Sequence, residues 1–255
     1  MNSILEISAL CKNFGGVRAI DNFNVKINKG GIHGLIGPNG AGKTTIFNVI
    51  TGLYKPDNGK IMFSDKDITA KKPHAIAQAG IARTFQNIRL FSNLSVLQNV
   101  IIACNMDLSY NMLHTFLRLP LYHREEAKLR EKAMELLKIV GLMDLAEARA
   151  NSLPYGYQRR LEIARAIAIN PALLLLDEPA AGMNAEESVD LVGFIKEIKE
   201  RFNLTVLLIE HHMDVVTELC DKVTVLNFGK TIAEDTVKEI KQNKHVVEAY
   251  LGEEH

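Results

Sequence analysis

The segment Gly37-Pro38-Asn39-Gly40-Ala41-Gly42-Lys43-Thr44 narrows the folding options of this 255-residue chain more than any other stretch. It fits the phosphate-binding pattern Gly-x-x-x-x-Gly-Lys-Ser/Thr. Glycines let backbone N–H groups turn inward around an anion where a Cβ would clash. Ahead of the loop, the turn Asn28-Lys29-Gly30-Gly31 opens the short apolar strand Ile32 to Ile36. Behind it, a helix is expected from Lys43 to about Gly52. Such a helix aims its positive dipole end into the loop. Lys43 brings a mobile charge to the β- and γ-phosphates, and the Thr44 hydroxyl suits Mg²⁺; Thr45 lies beside it.

A second element follows the apolar run Leu173-Leu174-Leu175-Leu176, where Asp177 and Glu178 come in succession. A carboxylate at the C-terminal end of a buried strand sits where open α/β sheets bind ligands. Asp177 is therefore expected in the Mg²⁺ shell. Glu178 is expected to orient or deprotonate an attacking water.

Patterning elsewhere supports an α/β chain. Phe23, Val25 and Ile27 alternate with Asn22, Asn24 and Lys26, as in a half-buried strand. From about Ser95 to Leu142 the period becomes helical, with Leu129, Ala133, Leu136, Leu137 and Val140 on one face and Arg124, Glu125, Lys128, Glu131 and Lys132 on the other. The last third alternates helices (about 158–169, 185–202, 213–220) with strands (172–177, 204–209, 222–227), which predicts a parallel sheet with covering helices. Acidic and basic residues balance at 30 each, so the basic footprint of a nucleic-acid binder is missing. Cys11, Cys104 and Cys220 lie far apart without metal-like spacing and read as reduced, mostly buried thiols of a cytosolic chain. The first residues lack a signal-peptide pattern, and no apolar run approaches the roughly 20 residues of a membrane helix.

With these elements placed, the stretch Asn151 to Leu161, containing Leu153-Pro154-Tyr155-Gly156-Tyr157-Gln158, resembles the signature of the ABC ATPases. Gln86 in Arg83-Thr84-Phe85-Gln86-Asn87 looks like that family's Q-loop glutamine. Ala180 to Asn184 resembles its D-loop, and His211 its switch histidine. Phe14 falls where the family stacks an aromatic under adenine. The phrases Arg-Thr-Phe-Gln-Asn, Leu-Glu-Ile-Ala-Arg and Asp-Glu-Pro-Ala-Ala-Gly-Met-Asn, with the ending Ala249-Tyr250-Leu251-Gly252-Glu253 and the long region from Asn105 to Lys132, are similar to ATPase subunits of branched-chain amino-acid importers.

The resemblance implies a P-loop NTPase (RecA-like) core formed by 1–94 and 160–235, carrying an N-terminal antiparallel β subdomain. It also implies an α-helical subdomain over 95–159 and a C-terminal helical tail over 236–255. ATP and Mg²⁺ are the implied cofactors. Glu178, His211 and Gln86 are the implied catalytic residues, and Thr44, Gln86 and Asp177 the metal shell. Phe14, residues 37–45, Tyr155 and Gly156 are expected on nucleotide, the last two on ATP held by another copy. The working unit would be a homodimer, or a heterodimer with a sister ATPase. It would sit peripherally on the cytoplasmic side of a membrane, against permease subunits and indirectly a substrate-binding protein. The apolar loop residues Ile88, Leu90, Phe91 and Leu94 read equally as a docking surface or a locally buried hairpin.

Three other readings fit less well. A lipopolysaccharide-type export ATPase would generally lack the long helical region. A soluble ABC ATPase would carry paired cassettes or a coiled coil. A GTPase switch would carry Asn-Lys-x-Asp, absent here. The presence of Glu178 and His211 argues against a non-catalytic regulator.

Pro154 departs from the usual signature serine and offers neither a hydroxyl nor a backbone N–H. One hydrogen bond to a charged oxygen contributes on the order of 1.5–3 kcal/mol. Pro154→Ser is therefore expected to raise the hydrolysis rate in a phosphate-release assay, and an unchanged or lower rate would refute the assignment.

Overall fold

The computed structural model describes residues 3–104 and 120–251. The described chain forms two compact units, one of Met1–Gln86 with Ala172–His255 and one of Asn87–Pro171. Residues 105–119 of the expected long helical region, and Gly252 and Glu253 of the C-terminal phrase, lie outside the described residues.

Two sheets build the first unit. β1 (Ser3–Phe14) and β2 (Val17–Asn28) form a hairpin, and with β4 (Asn58–Phe63) and β5 (Lys66–Asp67) they make an antiparallel sheet ordered β2-β1-β4-β5. The alternation on β2 is real: Phe23, Val25 and Ile27 are buried while Asn22, Asn24 and Lys26 face solvent. The second sheet contains β3 (Ile32–Ile36), β6 (Ile81–Arg83), β7 (Leu173–Asp177), β8 (Thr205–Ile209), β9 (Lys222–Asn227) and β10 (Lys230–Asp235), in the order β10-β9-β3-β8-β7-β6. All its pairings are parallel except β9–β10. Every residue of β3, β7 and β8 is buried, as both-face coverage of a parallel sheet demands.

Helix α1 (Lys43–Ile50) fastens the two sheets together. Its Ile46, Phe47, Val49 and Ile50 share one apolar cluster with Leu5, Ile7 and Phe23 of the first sheet and Leu35, Leu173, Leu175, Leu207 and Ile209 of the second. Each such side chain stabilises the fold by about 1.5–3 kcal/mol relative to exposure. The remaining helices of this unit are α2 (Pro73–Gln78), α6 (Ala185–Arg201), α7 (Met213–Leu219), α8 (Val237–Gln242) and α9 (Lys244–Leu251). Asn184 caps α6 through a full capping box, accepting from Glu187 N while the Glu187 side chain accepts from Asn184 N.

In the second unit, α3 (Val96–Cys104) packs on α4 (Pro120–Ile139) and α5 (Tyr155–Ile167). Ala133, Leu136, Leu137 and Val140 are buried as their spacing predicts, and Leu129 is half-buried. Ser95 and Gln98 close a reciprocal cap on α3, each accepting from the other's backbone N–H. α5 starts three residues earlier than its apolar period suggests, because Pro154, at φ −53°, already has the geometry that precedes a first helical turn.

His33 on β3 is 4% exposed, and its Nε2 lies 2.7 Å from Thr224 Oγ1 on the neighbouring β9. Burial pushes its pKa down to about 4, an effect only partly offset by Glu234. The folded chain therefore resists protonation that the unfolded chain accepts. The His33 contribution to stability is full above pH 6.5 and is lost as pH falls from 6.5 towards 4. Urea midpoints measured at pH 7.5 and pH 5 are expected to fall in the wild type and to fall less in His33→Gln; equal slopes would contradict this.

Candidate nucleotide site

Four adjacent strands of the larger sheet, β3, β8, β7 and β6, present their C-terminal ends side by side, and each runs into a loop bearing expected site residues. β3 leads to Gly37, β8 to Glu210 and His211, β7 to Glu178, and β6 to Gln86. This is the crevice edge at which open α/β sheets hold ligands.

The glycine loop is shaped by its neighbours. Gly37 has φ +145°, and a Cβ there would come within 2.1 Å of Leu226 O on β9. Gly42 has φ +104°, and its Cβ would meet Ala19 O at 2.5 Å. Gly40, at φ +75°, faces open space, so only its backbone conformation calls for glycine. Pro38 and Ala41 are buried, with Ala41 N donating to Pro38 O at 3.2 Å, while Asn39 and Gly40 are exposed. Lys43 is 7% exposed and its Nζ donates to Gly37 O at 2.5 Å and Pro38 O at 2.8 Å, curling the loop around its own cation. Thr44 is exposed and Thr45 half-buried in the first turn of α1.

Asp177 and Glu178 diverge in environment. Asp177 is buried, and its Oδ2 accepts from Arg83 Nη2 at 2.7 Å. The same guanidinium donates from Nη1 to Asn48 Oδ1 on α1 at 2.7 Å and lies 5.4 Å and 5.0 Å from the Phe47 and Phe85 ring centres. Arg83 thus joins the helix that follows the glycine loop to the first carboxylate. In the chain Arg83 stands without a visible role, since the pair spans 94 residues and no local pattern announces it.

Glu178 adopts φ +46°, a left-handed backbone uncommon outside glycine. Its N–H donates to Ile209 O at 2.9 Å. Gln86 Nε2 donates to Glu178 Oε2 at 2.7 Å, and His211 Nδ1 stands 3.8 Å from that oxygen. Gln86, Glu178 and His211 therefore meet at one point. The two histidines separate clearly, because His212 Nδ1 is taken up at 3.0 Å by Glu210 Oε2.

Phe14, at the hairpin end of β1, is 42% exposed and packs edge-on against Tyr54 at 5.1 Å, with Lys12 Nζ 5.4 Å from its ring centre. In the second unit, Tyr155 and Gly156 open α5, whose N-terminal cap makes no side-chain hydrogen bond. Tyr155 Oη accepts from the buried Arg159 at 3.2 Å, and a Cβ at Gly156 would meet nothing within 4 Å. Of the cysteines, Cys104 and Cys220 are buried, and burial pushes the Cys220 thiol up to about 12, so it stays protonated and unreactive.

Comparison with known proteins places the chain in a family. The family described as "ABC transporter" matches residues 20–181, and that described as "Branched-chain amino acid ATP-binding cassette transporter" matches residues 230–255. The chain belongs to the ABC-transporter ATPases. This ABC ATPase is 42% identical over 250 residues to the high-affinity branched-chain amino acid transport ATP-binding protein BraF of Pseudomonas aeruginosa, covering 98% of both chains. It is 40% identical over 250 residues to the corresponding LivG of Escherichia coli, again with 98% coverage of each. Among solved structures it superposes on the ADP conformation of MJ1267, an ATP-binding cassette of an ABC transporter, with a TM-score of 0.86 and 34% identity over 99% of this chain and 100% of that one. Membership makes it an ATP-binding, ATP-hydrolysing subunit with an α/β P-loop fold. No helix among the described residues is long and apolar enough to cross a membrane.

Arg83 and Asp177 are 6% and 4% exposed, so removing one partner strands a buried charge. Arg83→Met in this ABC ATPase is expected to destabilise the fold by about 3 kcal/mol in urea titrations. The double variant Arg83→Met/Asp177→Asn is expected to recover part of that loss. An effect within error of zero for the single variant would remove the pair from the account.

Proposed function

We propose that this ABC ATPase energises import of branched-chain amino acids, the cargo printed in the names of its BraF and LivG relatives. The match of its C-terminal residues 230–255 to the branched-chain family supports import over lipopolysaccharide-type export. The observation that carries the catalytic reading is the meeting of Gln86, Glu178 and His211 at the strand edge beside the glycine loop.

In this reading the loop from Gly37 to Thr45 wraps the triphosphate and Lys43 moves from its own carbonyls to the β- and γ-phosphate oxygens. Phe14 presents its ring to adenine. Thr44, Gln86 and Asp177 are oxygen donors of the kind Mg²⁺ prefers, and the Arg83 bond to Oδ2 leaves the other Asp177 oxygen for the metal shell. Mg²⁺ would neutralise developing phosphate charge when bound. Glu178 accepts the proton of the attacking water, and His211 donates to the γ-phosphate. Tyr155 and Gly156, at the start of α5, face ATP on the second protomer, a copy of this chain or a sister ATPase.

The ATPase then works peripherally at the cytoplasmic face of the membrane, under permease subunits fed by a substrate-binding protein. Its docking surface is the loop from Ile88 to Leu94. Phe91 is 45% exposed there, with the Arg165 guanidinium 4.8 Å from its ring, while Ile88, Leu90 and Leu94 are half-buried. The fully buried Asn99 holds this loop by accepting from Phe91 N at 2.9 Å and donating to Phe91 O at 3.1 Å.

Co-expression with the branched-chain permeases and reconstitution in vesicles test the proposal in two arms. Glu178→Gln is expected to lower hydrolysis at least about 100-fold while ATP remains bound, and leucine uptake is expected to stop with it. Leu90→Ser/Phe91→Ser is expected to release the chain from the vesicles with its soluble ATPase activity retained. Undiminished hydrolysis by Glu178→Gln would overturn the catalytic assignment, and uptake independent of this chain would overturn the importer.

A further inference from the structure

Glu210 ties two of the site's loops together. It follows β8 directly, lies between the loops after β3 and β7, and is completely buried. A buried carboxylate is costly unless its oxygens are fully supplied with donors. Here they are. Oε2 accepts from His211 N at 2.8 Å, His212 N at 3.0 Å and His212 Nδ1 at 3.0 Å, the last placing that ring's proton on Nδ1. Oε1 accepts from Ala180 N at 3.2 Å. Ala180 stands two residues after Glu178, in a tight turn where Ala181 N donates to Glu178 O at 3.1 Å and Met183 N to Ala180 O at 3.1 Å.

We propose that Glu210 is a positioning residue for hydrolysis: one carboxylate fixes the backbone that aims His211 and the backbone that aims Glu178, so that the two groups are set together. A second tie, from Glu178 N to Ile209 O at 2.9 Å, links the same two loops one residue away, so Glu210 closes a short ring of backbone bonds around the 3.8 Å approach of His211 to Glu178. His211 itself is half-exposed, and its own Nδ1 stays 3.7 Å from Glu210 Oε2, beyond hydrogen-bond reach. The ring's orientation is thus set through its backbone. Preorganisation of this kind acts on the transition state, because a small misplacement of a catalytic group costs rate more than binding.

Chemistry predicts an informative variant. Glu210→Gln keeps the shape but leaves a single acceptor oxygen. Three donors face one oxygen and one donor faces the other, so the amide oxygen takes the histidine side. Its NH₂ group then confronts Ala180 N, two donors with no acceptor between them. The variant cuts the tie to the Glu178 loop and spares the tie to the His211 loop, whereas Glu210→Ala cuts both.

The inference relies on the hydrolytic reading of Glu178 and His211, so the test separates the two. Hydrogen exchange followed by mass spectrometry, on the full chain, needs no turnover. Glu210→Gln is expected to speed exchange in peptides over 178–184 and to leave those over 209–213 protected. Uniform acceleration across the chain, or none, would overturn the assignment. Steady-state kinetics beside it are expected to show kcat reduced about tenfold by Glu210→Gln and further by Glu210→Ala, with KM for ATP within about twofold. A wild-type rate in Glu210→Gln, or a matching loss of kcat and ATP affinity, would overturn the positioning role. Absence of hydrolysis in the wild type with the exchange pattern intact would instead indict the catalytic reading.

Discussion

Backbone meets backbone around the glycine loop, and this close approach fixes everything that follows. Gly37 lies against the Leu226 carbonyl and Gly42 against that of Ala19, at separations where a methyl group would overlap. Gly229, in the turn between β9 and β10, crowds the same Ala19 carbonyl, while its N–H donates to Ala41 O at 2.9 Å and its carbonyl accepts from Asp21 N at 2.9 Å. The loop is therefore wedged between β2 and the β9–β10 turn, held by main-chain atoms that have no rotamers to relax. A loop held this firmly would meet a highly charged ligand with little reorganisation.

That firmness passes to the acidic side through side chains. Arg83 reaches from β6 to Asn48 on the helix after the loop and to Asp177 at the end of β7. Stacked near Phe47 and Phe85, the planar guanidinium keeps a fixed direction that a lysine would not. The spacing between the glycine loop and the carboxylates is thus set by a rigid fork, while Gln86 and His211 are exposed at the strand edge and Lys43 lies buried under its own loop.

Much of this was legible in order along the chain. The glycine loop, the buried leucine run before Asp177 and the alternation on β2 are local signals whose periods or spacings carry their own mechanism. The apolar face of α4 was equally readable, as Ala133, Leu136 and Leu137 show, with Val140 just beyond its end. What stayed hidden was long-range or weakly patterned. β10 is an edge strand of half-exposed and exposed residues, so it lacks both alternation and an apolar run. The short α2 has only Pro73 at its start as a signal. Arg83 and Glu210 look like ordinary polar residues in the chain, and only folding reveals that one reaches residue 177 and the other residue 180. Of the adjacent His211 and His212, the chain alone gives no physical distinction, whereas the fold commits the His212 ring to the buried Glu210 carboxylate.

The left-handed backbone of Glu178 carries a consequence for which acid can stand there. Holding a non-glycine residue in that region costs on the order of 1–3 kcal/mol. Aspartate and asparagine tolerate it best. On conformational comfort alone the shorter acid would be preferred. Yet an aspartate is one methylene short of the 2.7 Å contact with Gln86. Reach outweighs ease at this position: the chain accepts a strained main chain in order to deliver a carboxylate at the correct depth.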